Sequence, residues 1–276
     1  MKLLVDGRTA YAYTGSRPYD PARMSVVFIH GAQHDHSVWI LQSRYLAHHG
    51  YSVLALDLPG HGRSDGPALP DVGQMADWVL KLLAACGAQR SVLVGHSMGS
   101  LIALDAAARA PAGLVAGVAL LGTAAPMKVS DALLDAARSD ESRAFDMINA
   151  WSHTDVFARP ATPGPGFSIF VQNRRLMERQ RPGVLLNDFQ ACNAYSHALD
   201  RADHLKCPAV VLMGGRDLMT PPRAAKALIE RLTVSAQSHG LAAPETVQLA
   251  GCGHAMMSER PQAVLTTLQT FLARLR

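Results

Sequence analysis

The chain has 276 residues, of which 49% are hydrophobic and 17% are charged. This length and composition predict one folded core with room for an inserted subdomain, and they exclude intrinsic disorder. The net charge is only +4 and no basic run exceeds a pair of residues. The sequence therefore gives no reason to expect nucleic acid as a partner.

The N-terminal stretch and the cysteines predict the compartment. MKLLVDGRTAYAYTG has a short apolar run broken by Asp6, and so lacks the long apolar segment of a signal peptide. No apolar stretch reaches the ~20 residues that span a bilayer. The four cysteines lack the close spacing of metal or disulfide frameworks. We therefore expect a cytoplasmic protein with reduced thiols, no membrane partner, no cofactor and no metal, and we leave homo-oligomerisation open.

A hairpin and then six apolar strands alternating with helices are predicted along most of the chain. The hairpin pairs residues 2–6 with 9–14 around the Asp6-Gly7 turn. The apolar runs are 26–30, 52–57, 91–95, 115–122, 209–215 and 245–251, and helical patterns cover 37–49, 72–85, 98–109, 223–232 and 260–275. Unbroken apolar strands separated by helices indicate an α/β fold with a mostly parallel central sheet covered by helices on both faces.

The alternation stops between residues 124 and 205. This interval has amphipathic helical patterns at 130–150, 172–179 and 185–203, and a loop rich in proline and glycine, RPATPGPGFS. Long irregular segments often serve as lids or binding loops. We predict a helical cap at 124–205 inserted into a core formed by 1–123 and 206–276. The alternative is that the interval extends the helical layer of the core.

The stretch VLVGHSMG, residues 92–99, joins a predicted strand to a predicted helix. Ser97 would lie on the connecting turn, with its hydroxyl lifted clear of the sheet edge. Gly95 and Gly99 fit because a Cβ at either position would crowd the crossing of strand and helix. The N–H of Met98, at the helix N-terminus, would point toward an oxyanion formed by attack of Ser97. Ser100 falls within the first helical turn and is expected to pack or cap.

Two polar residues follow the last two predicted strands, where partners of a turn-borne serine are needed. Asp217 lies in GGRDLMTPP and His254 in AGCGHAMMSERP. A serine requires a base, and the base requires a group that orients it. Each residue also has a structural alternative, since Asp217 could cap the following helix and His254 could be an ordinary loop histidine. The chain order Ser97, Asp217, His254 favours the catalytic interpretation.

A fourth strand end carries the sequence FIHGAQHDHSVW. Gly31 permits close approach of the backbone, so that the N–H of Ala32 can supply a second oxyanion donor. The histidines of His34-Asp35-His36 are two residues apart and lack a third ligand at a suitable spacing. Helix capping before Ser37, or polar side chains that simply face solvent, explain this cluster better than a metal does.

Five stretches together resemble the α/β-hydrolase fold superfamily, in its serine hydrolase, esterase-like or lipase-like branch. They are HGAQHDHSVW, LDLPGHGRSDGP, VGHSMGSLIAL, GGRDLMTP and GCGHAMMSERP, and they span nearly the whole chain outside the predicted cap. The resemblance implies a triad of Ser97, Asp217 and His254, with the amides of Ala32 and Met98 as the oxyanion hole. These are the residues chosen above from their positions. The Asp57 to Ser64 segment is similar to a structural turn of that family.

The site predicts hydrolysis of a carboxylic ester, lactone or thioester through an acyl-enzyme. Related carbon–carbon bond hydrolases commonly have tryptophan after the histidine, where this chain has Ala255. Related cofactor-free haloperoxidases, or perhydrolases, have aromatic residues where this chain has Ala32 and His96. Both remain alternatives. A small-molecule receptor with slow or no turnover is the alternative from a different functional class.

The substrate is expected to be small, with an apolar acyl group or an aromatic ester. Pocket candidates are His30, Gly31, Phe145, Trp151, Met219 and Met256, with Phe157 and Phe167 as further candidates. Aromatic and methionine side chains at helical spacing also commonly form the core of a cap. The sequence therefore names a reaction class without naming a substrate.

Overall fold

The computed structural model describes residues 1–154 and 168–275. Within these residues the chain forms an eight-stranded sheet of order β1-β2-β4-β3-β5-β6-β7-β8. The strands are β1 (Lys2–Val5), β2 (Arg8–Tyr13), β3 (Ser25–Ile29), β4 (Ser52–Asp57), β5 (Ser91–His96), β6 (Val115–Leu121), β7 (Ala209–Gly214) and β8 (Glu245–Leu249). β2 is antiparallel to β1 and β4, and the remaining pairs are parallel. The predicted fold class is confirmed.

Helices cover the sheet and fill the interval between β6 and β7. They are α1 (Ile40–His48), α2 (Val72–Ala85), α3 (Met98–Arg109), α4 (Asp131–Ser139), α5 (Glu141–Ser152), α6 (Ile169–Glu178), α7 (Val184–Ala194), α8 (Ala198–Asp203), α9 (Lys226–Ser238), α10 (Met256–Glu259) and α11 (Pro261–Ala273). Short 3-10 helices span His36–Trp39 and Pro222–Ala225. None of the helices in the described ranges is long and apolar enough to cross a membrane.

Both faces of the sheet are buried. Val27 and Ile29 of β3 join an apolar cluster with α2, α3 and α9, whereas Val26 and Phe28 join one with α1 and α11. Successive side chains of a strand point to opposite faces, so burial on both faces requires apolar residues at every position. This is why the central strands are unbroken apolar runs in the sequence.

The structure differs from the sequence prediction at three places. The pattern over 130–150 forms α4 and α5, because the Asp140 side chain accepts a hydrogen bond from the Arg143 N–H at 3.1 Å and caps a new helix. The pattern over 185–203 breaks at Tyr195, which has an extended backbone. The last strand, β8, alternates between half-buried and exposed residues because it lies at the sheet edge.

The helices between β6 and β7 pack in two ways. Residues of α4, α5, α6 and α7 form an apolar cluster separate from the clusters on the sheet. In contrast, Ala198 and Ala202 of α8 belong to the cluster that contains α3 and α9. The division of the chain at residues 124 and 205 stays a prediction.

Candidate active site

The carboxyl ends of β3 and β5 lie side by side near the centre of the sheet. After β3 the chain adds β4 on one side and later returns to add β5 on the other. Such a reversal of strand order opens a crevice beyond the strand ends, where α/β proteins bind ligands. Ile29 pairs with Gly95 in register, so the loops that follow these two strands begin next to each other.

Ser97 lies between β5 and α3 with φ +54° and ψ −122°. This conformation is rare for any residue with a Cβ. The neighbouring glycines are required sterically, since a Cβ on Gly95 would lie 2.0 Å from the Gly99 oxygen and one on Gly99 would lie 2.3 Å from the Ile29 oxygen. Met98 begins α3, so its N–H has no acceptor within the helix. The Ser100 hydroxyl is buried and donates to the Ser97 carbonyl at 2.6 Å.

Asp217 and His254 follow the neighbouring strands β7 and β8 and contact each other. The His254 Nδ1 to Asp217 Oδ2 distance is 2.7 Å. Asp217 Oδ1 accepts from the N–H groups of Met219 and Thr220, both at 2.8 Å, and the Thr220 hydroxyl donates to Oδ2 at 2.8 Å. Burial favours a raised pKa, but the adjacent His254 and these donors hold the pKa of Asp217 below its ordinary value. Asp217 is therefore ionised and fixed in orientation.

His254 also contacts His96, the residue before Ser97. The ring centroids of His96 and His254 are 4.6 Å apart, and His96 Nε2 donates to the His254 carbonyl at 2.9 Å. Burial and the nearby His254 hold the pKa of His96 well below its usual value. A Cβ on Gly122 would lie 3.1 Å from His254 Cε1, so the glycine leaves room for the ring. Neutral His96 thus adds no positive charge beside His254.

The loop after β3 begins with the peptide between Gly31 and Ala32, whose carbonyl is fixed by a hydrogen bond from His30. The Leu58 N–H donates to His30 Nε2 at 3.1 Å, so Nδ1 carries the ring proton and donates it to the Gly31 carbonyl at 2.8 Å. Burial, and secondarily the neighbouring His61, lower the pKa of His30 to about 4, which keeps the ring neutral. Because the peptide is planar and trans, the Ala32 N–H points opposite to this anchored carbonyl.

A cavity of about 310 Å³ lies at these loops. It is lined by Ala32, Ser97, Met127, Lys128, Val129, Ser130, Leu133, Trp151, Phe189, Cys192, Leu218, Met219 and Thr220. Its wall is largely apolar, and it joins residues after β3, β5 and β7 with residues of the interval between β6 and β7. Ser97 and Ala32 therefore face the same space.

Only some of the predicted pocket residues line the cavity. Trp151 and Met219 line the cavity, whereas Phe145 packs inside the apolar cluster of α4 to α7 and Met256 is buried in the cluster that contains α1 and α11. His30 and Gly31 act behind the wall, where His30 anchors the loop and a Cβ on Gly31 would lie 3.2 Å from the Ser97 Cβ. Phe157 and Phe167 lie outside the described residues.

Asp35, His36 and Asp57 bring three ligand-type atoms within 4.8 Å of one another. Asp35 accepts from the Ser37 N–H at 2.9 Å and caps the 3-10 helix, which is one of the two explanations left open by the sequence, and its carboxylate also contacts Arg179. Asp57 accepts from the His36 N–H at 2.8 Å. These carboxylates therefore hold the loop after β3.

Thr220 and the pair of His61 and Asp188 are among the groups that sequence reasoning missed. Thr220 follows Asp217 by three residues, a spacing typical of side chains that bond to a local backbone turn, and could have been noticed. The buried pair of His61 and Asp188, whose Nε2 and Oδ2 are 2.8 Å apart, joins residues 127 positions apart. No pattern in the sequence indicates that pair.

Comparisons with known proteins agree with the fold. A sequence model described as "Alpha/beta hydrolase family" matches residues 26–267. The chain belongs to the alpha/beta hydrolase family. This hydrolase is 30% identical to a non-heme chloroperoxidase from Streptomyces lividans over 90% of its own length and 91% of the relative's. It is 34% identical to the pimeloyl-[acyl-carrier protein] methyl ester esterase of Chromobacterium violaceum, over 75% and 81% of the two chains.

One relative matches over a short stretch, and a solved structure matches over nearly the whole chain. An acetyltransferase component of the acetoin cleaving system from Cupriavidus necator is 40% identical over 110 residues, which is 39% of this chain and 28% of the relative. The enol-lactonase from Burkholderia xenovorans LB400 superposes with a TM-score of 0.82 at 24% identity, over 99% of this chain and 100% of that one. The superposition establishes the fold, and the family supports hydrolase activity on a small molecule.

Proposed function

We propose that this hydrolase cleaves a carboxylic ester, lactone or thioester through an acyl-enzyme formed on Ser97. The observation that carries the proposal is the half-buried turn at Ser97, which borders an apolar cavity near a buried pair of Asp217 and His254. Ser97 attacks the carbonyl carbon while His254 takes its proton. His254 then donates the proton to the leaving alcohol, and water releases the acid by the same route.

Asp217 holds the imidazole of His254 and stabilises it when protonated. The 2.7 Å contact to His254 Nδ1 supports this role, because it leaves Nε2 for Ser97. Thr220 and two backbone N–H groups keep the carboxylate ionised. The amides of Ala32 and Met98 are the proposed oxyanion donors, and each contributes about 3–4 kcal/mol to lowering the barrier.

The cavity supports an apolar acyl or aromatic group in the substrate. Its wall includes Leu133, Trp151, Phe189 and Met219, with Lys128 among the polar exceptions. Apolar walls with few polar groups bind substrate mainly by removing apolar surface from water. The cytoplasmic location and any homo-oligomer stay predictions from the sequence.

Labelling by a fluorophosphonate probe and release of nitrophenol from short acyl esters test the proposal. Wild type should be labelled and active. Ser97→Ala should lose labelling and at least about 10⁴-fold of kcat, while the control Ser100→Ala should keep stoichiometric labelling. A wild type that neither reacts with the probe nor turns over any ester would refute the serine hydrolase proposal and favour the receptor alternative.

A second candidate is perhydrolysis, which the 30% identity to the chloroperoxidase favours. In that reaction hydrogen peroxide replaces water and attacks the acyl-enzyme, which yields a peracid and returns a proton to Ser97 through His254. Ala32 and His96 differ from the aromatic residues expected there. Peracid formation from an ester and peroxide, measured against acid formation, separates the two. A panel of vinylogous diketones tests carbon–carbon bond cleavage in the same way.

A further inference from the structure

The loop after β3 is held from outside the sheet by the helices between β6 and β7. Hydrogen bonds and ion pairs join residues 33–35 to helix α6, to helix α7 or to the segment between these two helices. They comprise Gln33 N–H to Asp188 Oδ2 at 2.9 Å, Gln33 Nε2 to the Met177 carbonyl at 3.0 Å, His34 Nε2 to Asn173 Oδ1 at 2.8 Å, Gln180 Nε2 to Asp35 Oδ2 at 2.9 Å and Arg179 Nη2 to Asp35 Oδ2 at 2.7 Å. This loop contains Ala32, so its position bears directly on the oxyanion hole.

Asp188 of α7 differs from the other contacts in its surroundings. It is 0% exposed, and its Oδ2 accepts both the Gln33 N–H and a proton of His61 Nε2, at 2.9 and 2.8 Å. The other ring nitrogen of His61 lies 3.0 Å from the Pro59 carbonyl. A carboxylate and a carbonyl only accept hydrogen bonds, and although burial lowers the pKa of His61, the adjacent Asp188 raises it above its usual value, which favours protons on both ring nitrogens. Asp188 and His61 therefore form a buried ion pair.

The two peptides that flank Ala32 are thus each fixed by a hydrogen bond to a different side chain. His30 holds the Gly31 carbonyl, and with it the plane of the Ala32 N–H. Asp188 holds the N–H of the next peptide, at Gln33, which has φ +58°. A residue with positive φ is costly, so the loop needs an external partner to stay in this conformation. Release of the Gln33 N–H would let Ala32 turn away from Ser97.

We propose that Asp188, clamped by His61, is a positioning residue that aims the Ala32 N–H at the oxyanion by holding the Gln33 N–H. The inference rests on the proposed function, since it assigns Ala32 as an oxyanion donor. The adjacent residue Phe189 lines the cavity. One turn of α7 therefore contacts both the substrate space and the loop that carries the oxyanion donor.

The first test is Asp188→Ala, assayed with a nitrophenyl ester and with a trifluoromethyl ketone inhibitor. The inhibitor forms a tetrahedral adduct whose oxygen occupies the oxyanion hole. Loss of one oxyanion donor typically costs about 10²–10³ in kcat, and a misaligned donor should cost about 10–100-fold. KM should stay within threefold, because the donor acts mainly on the transition state. Inhibitor affinity should fall in proportion to kcat/KM.

Two further variants separate positioning from stability. Asp188→Asn keeps an oxygen that can accept from Gln33, so it should recover kcat to within about fivefold of wild type while the fold is less stable. The double variant Asp188→Leu/His61→Leu replaces both ions by apolar groups, which is often neutral or stabilising, yet it removes the acceptor. It should fold even if Asp188→Ala does not, and it should keep the loss of kcat.

Tyr195→Phe is the matched control. Its hydroxyl, at the end of α7, donates to buried Asp105 Oδ2 at 2.6 Å, so the variant loses a comparable buried hydrogen bond away from the loop. Its kcat should remain within threefold of wild type. If the double variant is folded with wild-type kcat and inhibitor affinity, or if Tyr195→Phe loses kcat equally, the positioning role of Asp188 is refuted. A wild type without labelling or turnover would instead refute the proposed function.

Discussion

Replacing Ser97 by glycine should stabilise the protein relative to replacing it by alanine. Both variants remove the hydroxyl, so they share any loss of its interactions. They differ in the Cβ, which at φ +54° and ψ −122° forces a backbone conformation that costs about 1–3 kcal/mol for residues other than glycine. Glycine also makes the unfolded chain more flexible, which lowers the free energy of unfolding by about 0.4–1 kcal/mol relative to alanine. The net expectation is that Ser97→Gly is more stable by about 1 kcal/mol.

At most other positions the glycine variant is less stable than the alanine variant, which is the opposite order. In a helix interior glycine is less stable than alanine by about 0.5–1 kcal/mol, and exposed Thr266 in α11 provides that reference through Thr266→Gly and Thr266→Ala. Thermal unfolding should place Ser97→Gly about 2–4 °C above Ser97→Ala, with the order inverted at Thr266. If Ser97→Gly melts below Ser97→Ala by the margin seen at Thr266, the strained turn at Ser97 is refuted.

Three further measurements follow from the site. Gly99→Ala should lose about 3 kcal/mol in urea unfolding, because the new Cβ would meet the Ile29 oxygen at 2.3 Å, and overpacking costs of this kind reach that size; a loss below 0.5 kcal/mol would contradict it. Thr220→Val should lose about 2 kcal/mol in urea unfolding, since it removes a donor to the Asp217 carboxylate; a neutral result would show that this bond is unimportant. The pKa of His30 is about 4 when folded and about 6.5 when unfolded. Since the unfolded chain binds the extra proton between these values, His30 should contribute a fall of about 3 kcal/mol to the free energy of unfolding as pH drops from 6.5 to 4. His30→Asn should make that dependence shallower, and an unchanged slope would contradict the assignment.

The central strands and the glycines at 95 and 99 were predictable from the sequence because their causes are local or uniform. A strand buried on both faces must be apolar at each position, whichever helices cover it. Glycine is required where backbone approaches backbone, and the distances at Gly95 and Gly99 show how close that approach is. The same reasoning predicted Asp217 and His254 at adjacent strand ends, which the sheet order brings into contact.

The helical interval was less predictable because competing local and distant contacts decide it. Asp140 interrupts an amphipathic pattern by capping a new helix, and Tyr195 ends α7 where its hydroxyl reaches Asp105. Phe145 and Trp151 are equally plausible pocket residues in the sequence, yet the first packs within its own cluster and the second lines the cavity. Helical periodicity identifies an apolar face without identifying what that face contacts.

The sequence by itself determined which segments along the chain form strands and helices, and which residues follow the strand ends. Periodicity and steric limits act on neighbours in the chain, so both can be recognised without the tertiary structure. Only the tertiary structure decided how the Ala32 peptide is aimed. Its orientation depends on two hydrogen bonds. His30 accepts one from the Leu58 N–H, and Asp188 accepts the other from the Gln33 N–H, although these two residues are 155 positions apart in the chain. Hydrogen bonds are directional and short, so such pairs exist only once folding has brought distant segments within about 3 Å.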